Sequence, residues 1–303
     1  MLSLRFNSIG VRTDQVHRGR VVRMHGFSPL AAFLAVILPA GCSSSAGGHE
    51  PIAPSLRLAT LNLAHGRGLS ASQSALPPER LRSNIDACAD AIARDDPDVI
   101  ALQEADAASV WSGAFHHVER IAERAALPHV HHGIHFDQGI GPFRVAYGTA
   151  LLSQQELQSP TSVRFDFGHL HTKGFVSARI ELAGRPLQVV SVHLTSGSAA
   201  ARRREVEVMV EALAKVDAPI VLMGDLNSRW ENDNDAVRLL VERLGLRAFE
   251  PDSPERRTFR AGRPRKRIDW ILIAPEFEFV GYRTWTDLVS DHLGVSATIR
   301  WVE

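Results

Sequence analysis

The sequence predicts an α+β domain in which helices pack on β-sheets. Three observations point there: short aliphatic or β-branched runs bounded by turn residues, two of those runs joined by a tight turn, and longer segments with an apolar stripe at helical spacing. Residues 56–63 form the first strand candidate. A helix is expected over 79–94, where Leu81, Ile85, Cys88 and Ile92 share one face. Strands follow at 99–103 and 149–153. The runs 175–182 and 187–194 flank Ala183-Gly184-Arg185-Pro186 and read as an antiparallel hairpin. A helix over 199–216 turns Val206, Met209, Val210 and Leu213 inward, and another covers 235–244. Strands at 220–224, 269–273 and 294–301 complete the pattern.

Bulk composition narrows the function classes. Hydrophobic residues make up 45% of the 303 and charged residues 22%, as in a globular protein and unlike a disordered chain. Thirty-four basic residues balance 34 acidic ones, which excludes a binder held to nucleic acid by excess positive charge but not an enzyme with one local phosphate site. Two cysteines, Cys42 and Cys88, exclude a disulfide framework and a four-cysteine zinc site. No apolar run reaches the ~20 residues that a membrane-spanning helix needs.

The N-terminus reads as an address. Arg18, Arg20 and Arg23 precede an apolar run over 30–38, which ends in Pro39-Ala40-Gly41-Cys42 and then Ser43-Ser44-Ser45. This order resembles the lipobox of bacterial lipoproteins, with Pro39 standing where an aliphatic residue is usual. The resemblance implies a signal peptide over 1–41, a flexible tether over 42–55 and a domain over 56–303. It implies export to the cell envelope and lipidation at Cys42. Cys88, alone, is expected on the buried side of its helix. The protein is expected to be a monomer.

The chemistry sits at strand ends. Asn62 closes the first apolar run, Gln103-Glu104 the second, and His193 interrupts Val189-Val190-Ser191-Val192. Asp225 and Asn227 follow Ile220-Val221-Leu222-Met223-Gly224; Asp269 opens a strand, and Asp291-His292 precede Leu293-Gly294-Val295. A charge beside such apolar runs is costly to bury without a partner, and strand ends converge at one sheet edge where these groups can share a cleft.

Together the blocks Thr60-Leu61-Asn62, Leu102-Gln103-Glu104, Ser191-Val192-His193-Leu194, Gly224-Asp225-Leu226-Asn227, Arg267-Ile268-Asp269-Trp270 and Ser290-Asp291-His292 resemble the endonuclease/exonuclease/phosphatase superfamily, the group that includes DNase I-like nucleases and neutral sphingomyelinases. The resemblance implies a four-layer α/β sandwich with two central mixed β-sheets flanked by helices. It implies a metal-dependent phosphoester hydrolase, a phosphodiesterase in the first reading. Phosphodiester cleavage needs a hard cation on the phosphate oxygens, a base for water and donors for developing charge. Glu104 is then the main Mg²⁺ ligand, with Asn62 and Asp291 beside it and Mn²⁺ or Ca²⁺ as alternative ions. His292 is the general base, held in its useful tautomer by Asp269. Asp225 positions the water, Asn227 donates to the phosphoryl centre, and His193 serves the leaving side. Tyr147 is a candidate phosphate contact, although a tyrosine beside a strand is more often there for packing.

Some slots depart from the family pattern. Gly148-Thr149-Ala150 has threonine where asparagine is common, and His171-Thr172-Lys173-Gly174 offers a lysine where nucleases often carry an acid. His129, His131, His132 and His135 alternate as on a surface strand and lack the further ligands of a closed zinc site. Arg202-Arg203-Arg204 reads as a solvated face, whereas Arg263-Pro264-Arg265-Lys266-Arg267 lies next to Asp269, where an anionic substrate could meet it. The substrates expected are a phospholipid headgroup, a small phosphodiester or nucleic acid. An envelope endonuclease and a catalytically inactive binding protein of the same fold are the alternatives. No exposed hydrophobic hairpin of the sphingomyelinase kind is evident in the sequence.

Overall fold

A tight turn sets the first pairing. Ala183 and Gly184 both take positive φ, 55° and 72°, the geometry that matches the twist of a two-residue hairpin. They join β6 (Gly174–Leu182) to β7 (Arg185–His193) in continuous antiparallel register. The structure, a computed structural model, describes residues 54–167, 173–232 and 235–303. The expected signal peptide, most of the tether with Cys42, and His171-Thr172 lie outside the described residues.

In chain order the other elements are β1 (Ser55–Asn62), α1 (Pro78–Asp95), β2 (Val99–Asp106), α2 (His117–Arg124), β3 (His129–Gln138), β4 (Val145–Ser153) and β5 (Gln158–Arg164). After the hairpin come α3 (Ala199–Leu213), β8 (Ile220–Asp225), α4 (Ala236–Leu244), β9 (Arg247–Ala248), β10 (Asp269–Ile273), β11 (Phe277–Thr284) and β12 (Val295–Trp301). The strands form two six-stranded sheets, in the orders β11-β12-β1-β2-β4-β3 and β5-β6-β7-β8-β10-β9. Within each sheet one neighbouring pair, β1–β2 and β7–β8, is parallel, and the rest are antiparallel. This is the two-sheet α+β sandwich that the sequence predicts.

Strand alternation explains the layers. In β1 and β2, Leu58, Val99 and Ala101 face the second sheet, while Ala59, Leu61, Ile100 and Leu102 meet Ile85, Cys88 and Ile92 of α1 and Val118 and Ile121 of α2. On the far side Val206, Met209 and Leu213 of α3 and Val237 and Leu240 of α4 cover the second sheet. Central strands buried on both faces read as unbroken apolar runs, which is why they are visible in the sequence. A polar bridge crosses the inter-sheet core: Gln103 Nε2 donates to Thr60 Oγ1 at 3.1 Å and faces Ser191 Oγ at 3.4 Å, and Ser191 donates to Leu102 O.

Burial pushes the Cys88 thiol up to about 12, so it behaves as a small apolar side chain, as its helix position implies. β3 differs from its expectation as a surface strand. It is a sheet edge, yet His135 is buried, its Nε2 within 2.8 Å of Thr149 Oγ1. A second difference lies at the tip of the β3–β4 hairpin, where Ile140 is 88% and Phe143 78% exposed. Gly139, Gly141 and Pro142 interrupt that segment and hide the apolar pair from any alternation pattern.

Candidate active site

Two parallel pairs bring the C-terminal ends of β1, β2, β7 and β8 to one edge of the sandwich, and with them Asn62, Glu104, His193 and Asp225. Open sheets bind ligands at such carboxyl ends. β10 runs antiparallel to β8, so its first residue, Asp269, pairs with Asp225, the last residue of β8. β12 starts at Val295 opposite Thr60, which sets Asp291 and His292 at the same edge. Gly224 is required here: at φ 147° a Cβ would lie 2.0 Å from Val192 O on the neighbouring strand.

Strain concentrates at this edge. His65, Glu104 and Asn227 take left-handed φ of 50°, 47° and 46°, a conformation that costs a non-glycine residue about 1 kcal/mol and is retained where neighbours enforce it. At Glu104 the register between β2 and β4 shifts, which turns its carboxylate out of the ladder and into the cleft.

On one side, His292 Nδ1 lies 2.9 Å from Asp269 Oδ2 and 3.1 Å from Oδ1, and Thr258 Oγ1 donates to the same carboxylate. His292 Nε2 points toward Asp225 Oδ2 at 3.8 Å. Burial opposes a charge on His292, but Asp269 and Asp225 outweigh it and raise its pKa to about 10. Burial, and after it Asp269, pushes Asp225 up to about 7. Asp225 is further held by Asn62 Nδ2 at 3.0 Å and by its own turn, Asn227 N to Oδ1 at 2.9 Å.

On the leaving side, Lys173 Nζ lies 3.2 Å from His193 Nδ1, and His193 Nε2 lies 3.4 Å from Asp225 Oδ2. These neighbours assign the ring proton to Nε2, with Nδ1 accepting from the lysine. Burial and then Lys173 hold His193 well below the ordinary imidazole value, so it is neutral at pH 7. Asn227 Nδ2 donates to Leu194 O at 2.9 Å, which places its amide beside that ring.

The third part is built on Glu104. Its Oε1 lies 3.6 Å from Lys173 Nζ, and its Oε2 lies 3.3 Å from Arg67 Nη1 and 3.4 Å from His65 Nε2. Burial opposes its charge, yet His65 first, then Lys173 and Arg67, keep its carboxyl well below the usual range. Arg67 Nη2 donates to Asp291 Oδ2 at 2.8 Å, so one guanidinium touches both carboxylates. Behind them stands a second imidazole–carboxylate pair: His65 Nδ1 is 2.6 Å from Asp106 Oδ1, and Trp111 and Ser112 donate to Asp106 Oδ2. Tyr147 is buried in the pocket wall, its ring stacked on Phe136 and Trp111 and 5.8 Å from Lys173 Nζ.

A divalent ion fits the Glu104 side. Asp291 Oδ1 is buried without a hydrogen-bond partner among the described residues, beside a carboxylate kept ionised, and the donors are all oxygen, as Mg²⁺ prefers. Asn62 Oδ1 accepts from Ala64 N at 2.9 Å and has a second lone pair to offer. Asp225, Asp269 and His292 also place potential ligand atoms within 4.8 Å of one another. There the His292–Asp269 contact already occupies the imidazole Nδ1, and a nitrogen donor suits Mg²⁺ less well. The histidines of β3 go elsewhere: His131 Nε2 lies 3.1 Å from Thr161 O and His132 Nε2 3.1 Å from Ala105 O, and they join no metal-holding cluster among the described residues.

Every site residue expected within the described part of the chain thus falls at one edge. Arg67, His65 and Asp106 were missed. The order Asn62-Leu63-Ala64-His65-Gly66-Arg67, directly after the first strand, signals the proximity of His65 and Arg67, and Asp106 stands two residues past Glu104 at the end of the second. The sequence profile of the Endonuclease/Exonuclease/phosphatase family matches residues 59–292. The chain belongs to that family. No curated protein sequence matches it. Among solved structures, an endonuclease/exonuclease/phosphatase from Beutenbergia cavernae DSM 12333 superposes with a TM-score of 0.65 at 20% identity, covering 82% of this chain and 72% of that one. An Endonuclease/Exonuclease/phosphatase family protein from Bacteroides thetaiotaomicron gives 0.63 at 16% identity over 83% of this chain and 99% of that one. D. rerio TDP2 complexed with single strand DNA product gives 0.58 at 16% identity over 81% and 99%. These likenesses establish the fold that this family member shares.

Proposed function

We propose that the protein is a divalent-metal-dependent phosphodiesterase that uses Mg²⁺ and a water activated by His292 and Asp269. The observation that carries this reading is the facing arrangement of two assemblies in one pocket. The Asp269–His292–Asp225 chain stands on one side, and the Glu104 and Asp291 carboxylates joined by Arg67 on the other.

Glu104 and Asp291, with help from Asn62, would hold Mg²⁺, whose charge would polarise the phosphoryl oxygens and favour the deprotonated form of His292. His292 Nε2 takes the proton of the attacking water, because Nδ1–H is committed to Asp269. Asp225 orients that water with its Oδ2. Asn227 and the Nε2–H of neutral His193 donate to oxygens of the pentacovalent centre. A neutral, depressed imidazole is a poor acid, so the charge on the departing oxygen falls to Lys173, which replaces the acid–histidine pair of nucleases. Tyr147 acts as pocket wall behind that lysine.

For the substrate, the exposed Ile140 and Phe143 favour a phosphodiester at a lipid surface, a phospholipid headgroup, presented to an envelope protein anchored through Cys42. A cavity of about 360 Å³ opens from Asn227 and Phe259 and is lined by Arg202, Arg229 and Lys266. It suits an anionic substituent and keeps the second reading, an envelope nuclease, in play, a reading to which the DNA product bound by TDP2 also lends itself. The test is hydrolysis of bis-p-nitrophenyl phosphate, sphingomyelin, phosphoinositides and plasmid DNA, with Mg²⁺ and with EDTA. Metal-dependent release from the lipids is expected; DNA cleavage alone selects the nuclease, and no turnover on any of them selects an inactive binding protein.

A further inference from the structure

Arg67 is, among the described residues, the cation that contacts both carboxylates assigned to the metal: Nη1 lies 3.3 Å from Glu104 Oε2 and Nη2 2.8 Å from Asp291 Oδ2. A guanidinium spanning two carboxylates satisfies the electrostatic demand that a bound cation would otherwise meet. Its backbone is fixed. Gly66 and Gly68 take φ of 74° and 58°, and Asn84 Nδ2 donates to Gly66 O at 2.9 Å. A Cβ on Gly66 would press on His117 and Ile85 at 3.2 and 3.3 Å. The turn cannot slide, but the Arg67 side chain, 19% exposed, has a path to solvent.

Resting on the metal assignment above, we propose that Arg67 is a resident competitor of the divalent ion. Its guanidinium holds Glu104 and Asp291 together in the metal-free protein and is displaced from them when the ion binds. The exchange replaces one positive charge by two on the same oxygens. Metal affinity is therefore set by a difference between two cations rather than by the carboxylates alone. His65 and Lys173 contact only Glu104 of the pair and remain as its support.

The experiment is Mn²⁺ binding to the purified full-length protein, followed by electron paramagnetic resonance of free Mn²⁺, for wild type, Arg67→Gln, Arg67→Lys and Glu104→Gln. Loss of two charge-assisted hydrogen bonds to the competitor should tighten the Mn²⁺ dissociation constant of Arg67→Gln by about tenfold to hundredfold. Arg67→Lys, which keeps the charge but not the fork, should fall between. The metal-free melting temperature of Arg67→Gln should drop, and saturating Mn²⁺ should close the gap to wild type. Unchanged or weaker Mn²⁺ binding in Arg67→Gln, with binding lost in Glu104→Gln, overturns the competitor role alone. Binding unchanged in Glu104→Gln overturns the metal assignment itself. Should Arg67→Gln fail to fold, Arg67→Lys decides on the same criterion.

Discussion

Replacing Asp269 by asparagine isolates the base chemistry. The change keeps side-chain volume at a fully buried position and preserves an oxygen for Thr258. It places an NH₂ group where Oδ1 now stands, 3.1 Å from His292 Nδ1. The oxygen kept at Oδ2, 2.9 Å from Nδ1, still accepts from that N–H, but as a neutral amide crowded by the new NH₂ group, so the imidazolium formed when Nε2 takes the proton from water loses its counter-charge. Loss of the carboxylate partner of a catalytic histidine lowers kcat by about 10⁴ in the triad enzymes, and a fall of ~10³–10⁴ is expected here. KM should change little, because Asp269 touches no substrate. One hydrogen bond to a charged group is lost, a cost of about 1.5–3 kcal/mol that leaves the protein folded. Initial rates on bis-p-nitrophenyl phosphate across pH, together with a thermal melt, measure all three quantities. A folded Asp269→Asn protein with kcat within about threefold of wild type at every pH refutes the assignment of His292 as base.

Further predictions use the same geometry. Glu104→Gln should remove metal-dependent hydrolysis and the thermal stabilisation given by Mg²⁺ while leaving the metal-free fold intact, read by melting curves with and without the ion. Asp225→Asn, which removes a carboxylate that burial and Asp269 hold up to about 7, should lower kcat by about a hundredfold or more, yet stabilise the metal-free protein above pH 7. His292 is raised to about 10 from an ordinary 6.5, so its contribution to stability is complete below pH 6.5 and is lost as pH rises through 10. The urea midpoint of the metal-free wild type should therefore exceed that of His292→Gln most at low pH, and a gap constant from pH 6 to 10 contradicts that cause. Ile140→Ser with Phe143→Ser should depress hydrolysis of lipid vesicles while sparing bis-p-nitrophenyl phosphate; equal loss on both refutes a role at the lipid surface.

How far the fold could be read from the chain depended on burial. β1, β2, β7 and β8 are covered on both faces, and their unbroken apolar runs mark them at once. The sheet-edge strands β5 and β11 carry exposed or half-exposed residues without a clean period, and α2 spans only 8 residues, so these elements leave no comparable signal. The same contrast runs through the site. Asn62, Glu104, His193 and Asp225 stand out because each ends an apolar run with a group its strand does not need. Arg67 resembles any loop arginine until Glu104 and Asp291, 37 and 224 residues away, are brought to it. Lys173 was visible only as a lysine in an unexpected slot. Its effect on His193 depends on a 3.2 Å contact between the start of β6 and the end of β7.

Anomalous scattering from crystals grown with Mn²⁺ bears most directly on the site as a whole. One peak is expected within coordination distance of Glu104 and Asp291, with Asn62 beside it and Arg67 swung aside. A peak held instead by Asp225, Asp269 and His292, in crystals that cleave phosphodiesters, contradicts the separation of metal and base on which the account stands.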